Sequence, residues 1–394
     1  MLAATQANAR ELRLSVDNNI GGDSNVFRSS ANPRADGLFE FSPRALVRNT
    51  QDTLEYEFSY RPTYQAYLST AGISGFNHNG LGDVEWRPSP TNTFSFGGSI
   101  VNSRIVRLID SDSGLAPSDP DQNLLVVSDS ARSTRSRANF GYLRSFSPAQ
   151  SAQIDFRFDD TAFNDRENID SRGYSVSIGS TRVLNERTQA GLSFTGLGRD
   201  ARAVGLRPGS RTRTIDVSLS LVLAITPSLD LNARAGPSFI RTKQFTASNM
   251  QLASSKDISY VADVSLTKRY HLSTGSLQYT RFQSGSGGDA STSIVDTVNL
   301  RINQQLGREW IFNLNLGWTQ REQISALGSE AVTRFRLYSL ATTAEYRISR
   351  GFSILGRFSL QRIENDQSNL DKSLVTDVVV GGITFRYSFD PIQF

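Results

Sequence analysis

The stretch from Leu54 to Leu68, which reads LEYEFSYRPTYQAYL, decides the fold class. Its even-numbered positions are apolar or aromatic, as at Phe58 and Tyr60, whereas its odd-numbered positions up to Gln65 are polar or charged. Side chains point to alternate faces of a β-strand, so this period of two predicts a strand with one apolar and one polar face.

The same alternation recurs along the whole chain, and helical spacing is hard to find. Ile215–Leu223 and Trp310–Trp318, for example, each carry apolar residues at every second position. Each segment is long enough for the roughly 9 to 11 residues with which a tilted strand crosses a bilayer. There are about eighteen such segments, centred near residues 14, 42, 60, 83, 98, 140, 155, 178, 192, 218, 235, 262, 277, 298, 315, 341, 356 and 382.

The connections between these segments alternate in length. Tight joins such as Asn49 to Asp52 and Gly307 to Glu309 alternate with long polar joins such as Asn18 to Asp36, Leu108 to Ser133 and Lys243 to Lys256. Short turns on one rim and long loops on the other are typical of outer-membrane barrels. The sequence therefore predicts an all-β, transmembrane, antiparallel up-and-down barrel of about 18 strands, or 16 as the fallback, with long extracellular loops and short periplasmic turns.

Two soluble all-β folds are the competing interpretations. A propeller or solenoid would show an internal repeat, and the chain contains none that we can find. A soluble sandwich would not need connections that alternate strictly between long and short. The membrane barrel is therefore favoured.

We expect a single domain, with an N-terminal periplasmic tail at residues 1–9 and the barrel at 10–394. That tail leaves no room for a separate plug domain. The first residues lack a basic segment followed by an apolar one, so either the protein is not exported or its signal peptide has been removed or is absent from this sequence. The expected location is the outer membrane of a Gram-negative cell.

Composition excludes several chemistries. The chain has no cysteine, so disulfides, zinc–thiolate sites and iron–sulfur clusters are excluded. Its 42 basic and 38 acidic residues are scattered, which argues against nucleic acid as a partner. The acidic segment Asp110–Asp121 departs from a calcium-loop pattern, so we interpret it as a solvated loop, with loose divalent-cation binding as the alternative. No cofactor and no metal site are predicted.

If the apolar face meets lipid, the polar face lines the barrel interior. Charges of both signs then face the lumen, so we expect weak selectivity between anions and cations. Any single arginine here serves either an internal ladder of ion pairs or the binding of an acidic polysaccharide. The predicted lumen-lining residues are Glu55, Glu57, Arg61, Asp83, Glu85, Arg137, Asp155, Arg157, Asp216, Asp230, Arg234, Asp263, Arg301 and Arg357.

Aromatic residues support the membrane interpretation. Trp310 and Trp318 lie eight residues apart on one face, about 20 Å along the membrane normal, and are predicted to mark the two aromatic girdles. The last amphipathic segment ends in aromatic residues, a pattern similar to the signal read by the barrel-insertion machinery. Its candidate members are Phe385, Tyr387, Phe389 and Phe394, and either of the last two could be the terminal residue of the signal.

The size, the strand number and the phrases EYEFSYRPTY at Glu55–Tyr64 and WRPSP at Trp86–Pro90 resemble the outer-membrane β-barrel porins of the second, "BBP2" type. Members of that family often accompany exopolysaccharide secretion systems. The resemblance therefore implies a channel through which a secreted polysaccharide crosses the outer membrane. The expected partners are outer-membrane lipid and lipopolysaccharide, the barrel-insertion machinery and periplasmic export components.

Two other functions remain in view. A general or nutrient-specific diffusion porin would share every feature above. An outer-membrane lipid hydrolase would need a His-x-Ser pair on one strand face with an asparagine orienting the imidazole. His271 and Ser273 have this spacing, but they fall in an expected turn and Asn299 lies on the next strand, so we do not predict an enzyme.

Overall fold

Eighteen long strands contain most of the residues that the structure, a computed structural model, describes, namely 10–27, 32–104, 132–164, 169–203, 208–246, 248–285, 292–324, 334–366 and 374–393. The tail at 1–9, residue 394 and most of the Leu108–Ser133 segment lie outside this range. The strands are β1 Arg10–Asp23, β2 Asp36–Thr50, β3 Leu54–Tyr67, β4 Gly75–Ser89, β5 Asn92–Arg104, β6 Arg132–Ser147, β7 Gln150–Phe163, β8 Ser171–Asn185, β9 Thr188–Ala201, β10 Gly209–Thr226, β11 Leu229–Phe245, β12 Gln251–Arg269, β13 Ser273–Gly285, β14 Thr292–Leu306, β15 Trp310–Ile324, β16 Arg334–Arg347, β17 Phe352–Asp366 and β18 Leu374–Ser388, followed by a two-residue strand β19 at Ile392–Gln393.

These strands form one closed antiparallel barrel. Each strand pairs with its neighbours in sequence, and β1 pairs with β18, with Asn19 opposite Thr384. The short β19 continues this seam, because Ile392 pairs with Leu12 of β1. The predicted up-and-down barrel of eighteen strands is therefore confirmed, and each predicted centre lies within an observed strand.

The outer face of the barrel is apolar. Along β10, Ile215 and Leu219 are 60% and 68% exposed, while the intervening Asp216 and Ser218 point to the other side of the sheet. Phe58 and Tyr60 of β3 are exposed in the same alternating way. A soluble protein rarely exposes so extended an apolar surface, whereas a barrel in lipid requires one.

Contacts between strands that are not neighbours identify the inner face. The Arg61 guanidinium of β3 lies 3.7 Å from the Asp17 carboxylate of β1. This contact spans the intervening strand β2. The Arg386 guanidinium of β18 reaches to 4.0 Å from the Glu345 carboxylate of β16 in the same manner. Side chains converge across an intervening strand on the concave side of a sheet, so these residues point into the lumen.

The two ends of the barrel differ in their connections. Strands β2 and β3, and each later even–odd pair, are joined by short turns; in the turn between β14 and β15, Gly307 has a φ of 67°, which favours glycine. We call this the short-turn end. The opposite long-loop end holds a short 3-10 helix at Ala71–Ile73 and several undescribed segments. Among the described residues, no helix combines the length and the apolar character needed to cross a bilayer.

Two predicted long joins were wrong in their bounds. Strand β1 continues past Asn18 to Asp23, and strand occupies most of Lys243–Lys256, leaving a connection at 246–250. Residues such as Arg241 to Gln244 are polar on both faces, so the alternation that marks a strand disappears while the backbone pairing continues.

The hairpin of β13 and β14 leans into the lumen at the long-loop end. Pairing of β13 with β12 stops at Arg281 opposite Ala262, while pairing with β14 continues to Gly285. Beyond that point the Thr214 hydroxyl of β10 donates a hydrogen bond to Oε1 of the Gln283 side chain, although β10 and β13 are not neighbours. The hairpin therefore lies against the inner wall of β10–β12 and narrows this end.

Two clusters of packed apolar side chains lie in the long-loop half of the barrel. One apolar cluster joins Val295, Phe335 and Leu337 with the half-buried Phe282 and Ile363. A second joins Val26, Leu38, Tyr67 and Ile73 with Phe27. In the short-turn half, by contrast, inward residues such as Asn303 and Asn313 are exposed. The described part of the lumen is thus packed toward one end and open toward the other.

Candidate functional site

The strand register gives a common orientation to the predicted lumen-lining residues. All of them alternate with the exposed apolar positions of their strands and so face inward, while their role in conduction stays a prediction. These residues are Glu55, Glu57 and Arg61 on β3, Asp83 and Glu85 on β4, Arg137 on β6, Asp155 and Arg157 on β7, Asp216 on β10, Asp230 and Arg234 on β11, Asp263 on β12, Arg301 on β14 and Arg357 on β17.

On β6 and β7 the interior charges form an ion-pair ladder. Arg137 Nε donates to Asp159 Oδ1 at 2.8 Å, and Arg157 Nε donates to Asp159 Oδ2 at 3.0 Å. Arg157 Nη2 also donates to Asp159 Oδ1 at 3.1 Å, so Arg157 pairs with this carboxylate through two nitrogen atoms and Arg137 through one, and both guanidinium groups are held against the wall. Asp159 is not among the predicted lumen-lining residues, although it has the same parity as Asp155 and Arg157. These two arginines fit the structural alternative better than the binding one.

An acidic wall lies on β3 and β4. Glu57 stands opposite Asp83, and Glu55 opposite Glu85, so four carboxylates meet on adjacent strands. Arg87 offsets part of this charge, at 2.6 Å from Glu85 and 3.7 Å from Glu55.

The wall of β11–β14 is mixed. Arg269 pairs with Asp230, and Gln278 donates to Asp263 at 3.1 Å. Arg301 is half-buried, and its Nη2 has no hydrogen-bond partner among the described residues. Interior polarity is thus varied around the barrel, without a single sign of charge.

A basic cavity opens at the short-turn end, and we call it the mouth cavity. Its volume is about 630 Å³, and it is built by the turns β14–β15 and β16–β17 together with the adjoining ends of β16, β17 and β18. Four arginines and one glutamate supply its charge. They are Arg308, Glu345, Arg347, Arg350 and Arg386.

The charges of the mouth cavity are not balanced. Glu345 lies 3.6 Å from Arg347 and 4.0 Å from Arg386, and Arg386 also bonds Asp17. Arg308 and Arg350 have no salt bridge to any described residue. Planar guanidinium groups bind carboxylates and phosphates through paired hydrogen bonds, so this cavity favours an anionic ligand.

The mouth cavity was not predicted from the sequence. Arg308 and Arg350 lie in tight turns, to which strand parity does not apply, and 42 positions separate them in the chain. Their turns meet because β14–β17 are consecutive antiparallel strands. The available signal was an arginine in each of two successive short turns.

The predicted girdle residues and the described members of the predicted assembly signal lie on the outer face. Trp310 packs against Phe312 and Tyr346, with ring centroids 5.6 and 4.7 Å away, near the short-turn end. Trp318 stands opposite Tyr338, nearer the long-loop end. Among the candidate assembly residues Phe385, Tyr387 and Phe389 are exposed, and Phe394 lies outside the described residues. Recognition of these residues by an insertion machinery stays a prediction.

The structure does not bring the hydrolase candidates together. His271 lies in the β12–β13 turn and Ser273 at the start of β13, while Asn299 pairs with Gln278, roughly 17 Å along the strand from Ser273. Within the described parts of the chain, no three His, Asp or Glu side chains are grouped to hold a metal ion. The segment Asp110–Asp121 lies outside those parts.

His78 has an unanticipated setting on the outer face. Its Nδ1 and the Tyr60 hydroxyl are 2.8 Å apart, and its ring stacks on Phe76. The sequence predicts no role for this histidine, and in the structure it belongs to an aromatic group with Tyr60, Tyr64 and Phe76.

At the long-loop end, Asp36 anchors the connection between β3 and β4. The Ser69 N–H lies 3.0 and 3.1 Å from its two carboxylate oxygens. Burial by itself raises the pKa of the Asp36 carboxyl, but hydrogen bonds to its charged form, including those from the N–H groups of Ser69 and Gly37, outweigh burial and lower the pKa.

Comparisons with known proteins returned similar solved structures but no relative by sequence. No family model and no curated protein matches the sequence. The similar solved structures include the ferric-catecholate import receptor Fiu from E. coli K12, with 9% identity, a TM-score of 0.49, and coverage of 96% of this chain and 81% of that chain. OccK2 (OpdF) from Pseudomonas aeruginosa has 11% identity, a TM-score of 0.47 and 98% coverage of both chains. No function is transferred from likenesses at this level.

Proposed function

We propose that this chain is an outer-membrane channel of a Gram-negative cell that carries a secreted exopolysaccharide through a water-filled lumen. The observation that carries the proposal is the basic mouth cavity at one end of a closed barrel with an apolar exterior. Barrels of sixteen to eighteen strands are wide enough to leave an aqueous channel. Short turns face the periplasm in such barrels, so the mouth cavity would open where an exported polymer arrives.

An acidic polysaccharide is the cargo that the mouth cavity suits best. A uronic acid presents a carboxylate on each sugar, and Arg308 and Arg350 have guanidinium groups without salt-bridge partners among the described residues. The packed long-loop half, which contains Phe335 and Leu337, would then restrict passage where the polymer leaves. Periplasmic export components would deliver the cargo, and lipopolysaccharide would surround the exit.

A general or nutrient-specific diffusion porin is the second candidate. The acidic wall on β3 and β4 favours it, because a lumen with both signs of charge suits small solutes of either sign. We therefore keep the expectation of weak selectivity between anions and cations. Reversal potentials in salt gradients across a planar bilayer measure this selectivity, and a strong preference would contradict a mixed lumen.

Single-channel recording on the full chain in planar bilayers separates the two candidates. Oligomers of a uronic acid, added on the short-turn side, should block the current, and neutral glucose oligomers of equal length should not. Arg350→Gln should shorten the blocks roughly tenfold, since one charge-assisted contact is lost. Arg187→Gln, in the β8–β9 turn, removes the same charge from a turn outside the cavity and should leave the blocks unchanged.

Three outcomes of this recording would argue against the proposal. Equal block by acidic and neutral oligomers, or equal block in both variants, would remove the mouth cavity as a recognition site and favour the diffusion porin. The absence of conductance at every voltage would contradict an open channel of either kind.

A further inference from the structure

The outer faces of β10, β11 and β12 carry an apolar row directly beneath a cationic row at the long-loop end. Ile215, Phe239 and Ile258 stand opposite one another in the register, and 48 to 78% of each is exposed. Two residues further toward the long-loop end, Arg213, Arg241 and Lys256 stand opposite one another on the same outer face. The outer face of the sheet thus changes from apolar to positively charged over two residues along each strand.

More positive charge lies above this row. Arg211 stands opposite Lys243, which brings the cations on three adjacent strands to five. We call these five residues the cationic patch. Among the described carboxylates, Asp200 alone contacts the patch, at 2.9 Å from Arg211 and 3.3 Å from Arg213.

The positive charge on the other three residues of the patch is not neutralised by any described carboxylate. Arg241, Lys243 and Lys256 form no salt bridge with any described residue. Like charges directly opposite on neighbouring strands destabilise a sheet. An external anion at this position would remove that cost and gain charge-assisted hydrogen bonds.

Aromatic rings hold two of the arginines near the sheet. The Arg213 guanidinium lies 5.2 Å from the centre of the Tyr174 ring, and the Arg211 guanidinium 5.5 Å from that of Phe245. The Tyr174 ring occupies the space above Gly198, where any side chain would collide with it. The arginines are therefore partly ordered before a ligand binds.

We propose that the cationic patch binds the phosphate groups of a phosphorylated glycolipid of the outer leaflet, of the lipopolysaccharide type, with its acyl chains along the apolar row. The row from Arg213 to Lys256 spans two strand spacings, roughly 10 Å, enough to contact more than one phosphate oxygen at once. Positive side chains at a membrane surface attract anionic lipid headgroups. This inference rests on the proposed placement in the outer membrane but not on the proposed cargo.

The test measures how much bisphosphorylated lipid A the purified full chain retains in phosphatidylcholine nanodiscs. The variant Arg213→Gln, Arg241→Gln, Lys256→Gln removes the cationic row. The matched control Arg144→Gln, Arg182→Gln, Lys268→Gln removes the same three charges from outward positions nearer the short-turn end of β6, β8 and β12. Wild type and control should retain equal amounts of the lipid. The row variant should retain roughly tenfold less, because weakly bound lipid is washed away. Arg213→Lys with Arg241→Lys should keep most of the retention.

Several results would overturn the proposal. Equal retention by the row variant and the control is one, and undiminished retention of dephosphorylated lipid A is another. Equal retention of phosphatidylglycerol would show that the patch senses any anionic lipid and would remove the commitment to a glycolipid. Circular dichroism checks that each variant keeps its strand content. Channel conductance recorded on the same samples separates a failure here from a failure of the proposed export function.

Discussion

Arg386 donates two hydrogen bonds to Asp17, at 2.8 and 3.0 Å, across the seam where the last strand of the barrel meets the first. The two residues are 369 positions apart in the chain. Arg61 approaches the same carboxylate to 3.7 Å from the other side. Asp17 is nearly buried, so this single carboxylate on β1 links two inward-facing arginines, one on β18 and one on β3.

The seam ion pair should contribute measurably to stability. Asp17→Asn should lower the free energy of unfolding by about 1–3 kcal/mol, because it weakens charge-assisted hydrogen bonds and leaves two arginines facing each other. The urea midpoint of the protein in detergent micelles measures this change. Arg44→Gln, which alters an exposed inward arginine on β2, is the control and should change the free energy of unfolding by less than about 0.5 kcal/mol. Equal shifts in the two variants would show that the seam pair contributes nothing specific.

Four glycines face one another at the same seam, and they should differ in their tolerance of a side chain. Gly21 pairs with Gly382 on the inner face, and Gly22 pairs with Gly381 on the outer face. A Cβ on Gly382 would lie 2.9 Å from the Ile20 carbonyl oxygen, and one on Gly21 would collide with the Gly381 carbonyl oxygen. Gly22 and Gly381 have ordinary space, with their nearest neighbours at 3.8 and 3.7 Å.

Gly21→Ala and Gly382→Ala should therefore impair closure of the barrel, whereas Gly22→Ala and Gly381→Ala should be tolerated. Overpacking against backbone costs about 1–3 kcal/mol or more. The fraction of refolded protein that keeps the fast, heat-sensitive mobility of a closed barrel on a gel measures the effect. An equal loss in all four variants would contradict a steric cause confined to the inner pair.

The free-energy cost of a charged side chain on the apolar exterior should depend on its depth in the membrane. Leu219→Arg, in the middle of the outer face of β10, should cost about 2–4 kcal/mol in a lipid bilayer. Ile215→Arg lies next to the cationic patch and should cost about 0–1 kcal/mol. Unfolding in phosphatidylcholine vesicles measures both, with the inward Asn303→Arg as the control. Equal costs at the two outward positions would contradict a membrane-spanning orientation.

The connection held by Asp36 should depend on pH in one direction. Because the pKa of Asp36 is lowered in the folded protein, its contribution to stability is present above the pKa of the unfolded chain, about 4, and is lost as the pH falls through the lower folded value. Hydrogen-exchange protection of the Ser69 amide should therefore be constant from pH 7 to 5 and fall below about pH 4. Asp36→Asn should weaken that protection at every pH. A loss of protection in the wild type between pH 7 and 5 would contradict the assignment.

Much of the fold could be predicted because the alternation is a property of each strand by itself. The parity of Phe58 and Tyr60 identifies one face of β3 without reference to any other strand. Where both faces are polar, as at Arg241 and Thr242, local alternation carries no information, and the strand is longer than predicted.

The candidate site was less predictable because it depends on which strands meet. Parity places Asp17, Glu345 and Arg386 in the lumen, but their contacts need closure of the barrel and the pairing of β18 with β1. The inward apolar residues Val295 and Phe335 break the rule that a polar face lines the lumen, and they do so where packing narrows the long-loop end. The cationic patch is likewise a product of register, since its members lie up to 45 positions apart.

The seam also constrains the order of assembly. Strands β2 to β18 can each form on a neighbour made just before, but the free edge of β1 finds its partner only when residues 380–388 are in place. Closure is thus one contact of very long range among many local ones, and such contacts form slowly because the intervening loop must be closed first. A chain that ends before β18 cannot shrink to a smaller sealed ring with the same seam. It keeps two unsatisfied strand edges, the condition in which sheets join to the wrong partner.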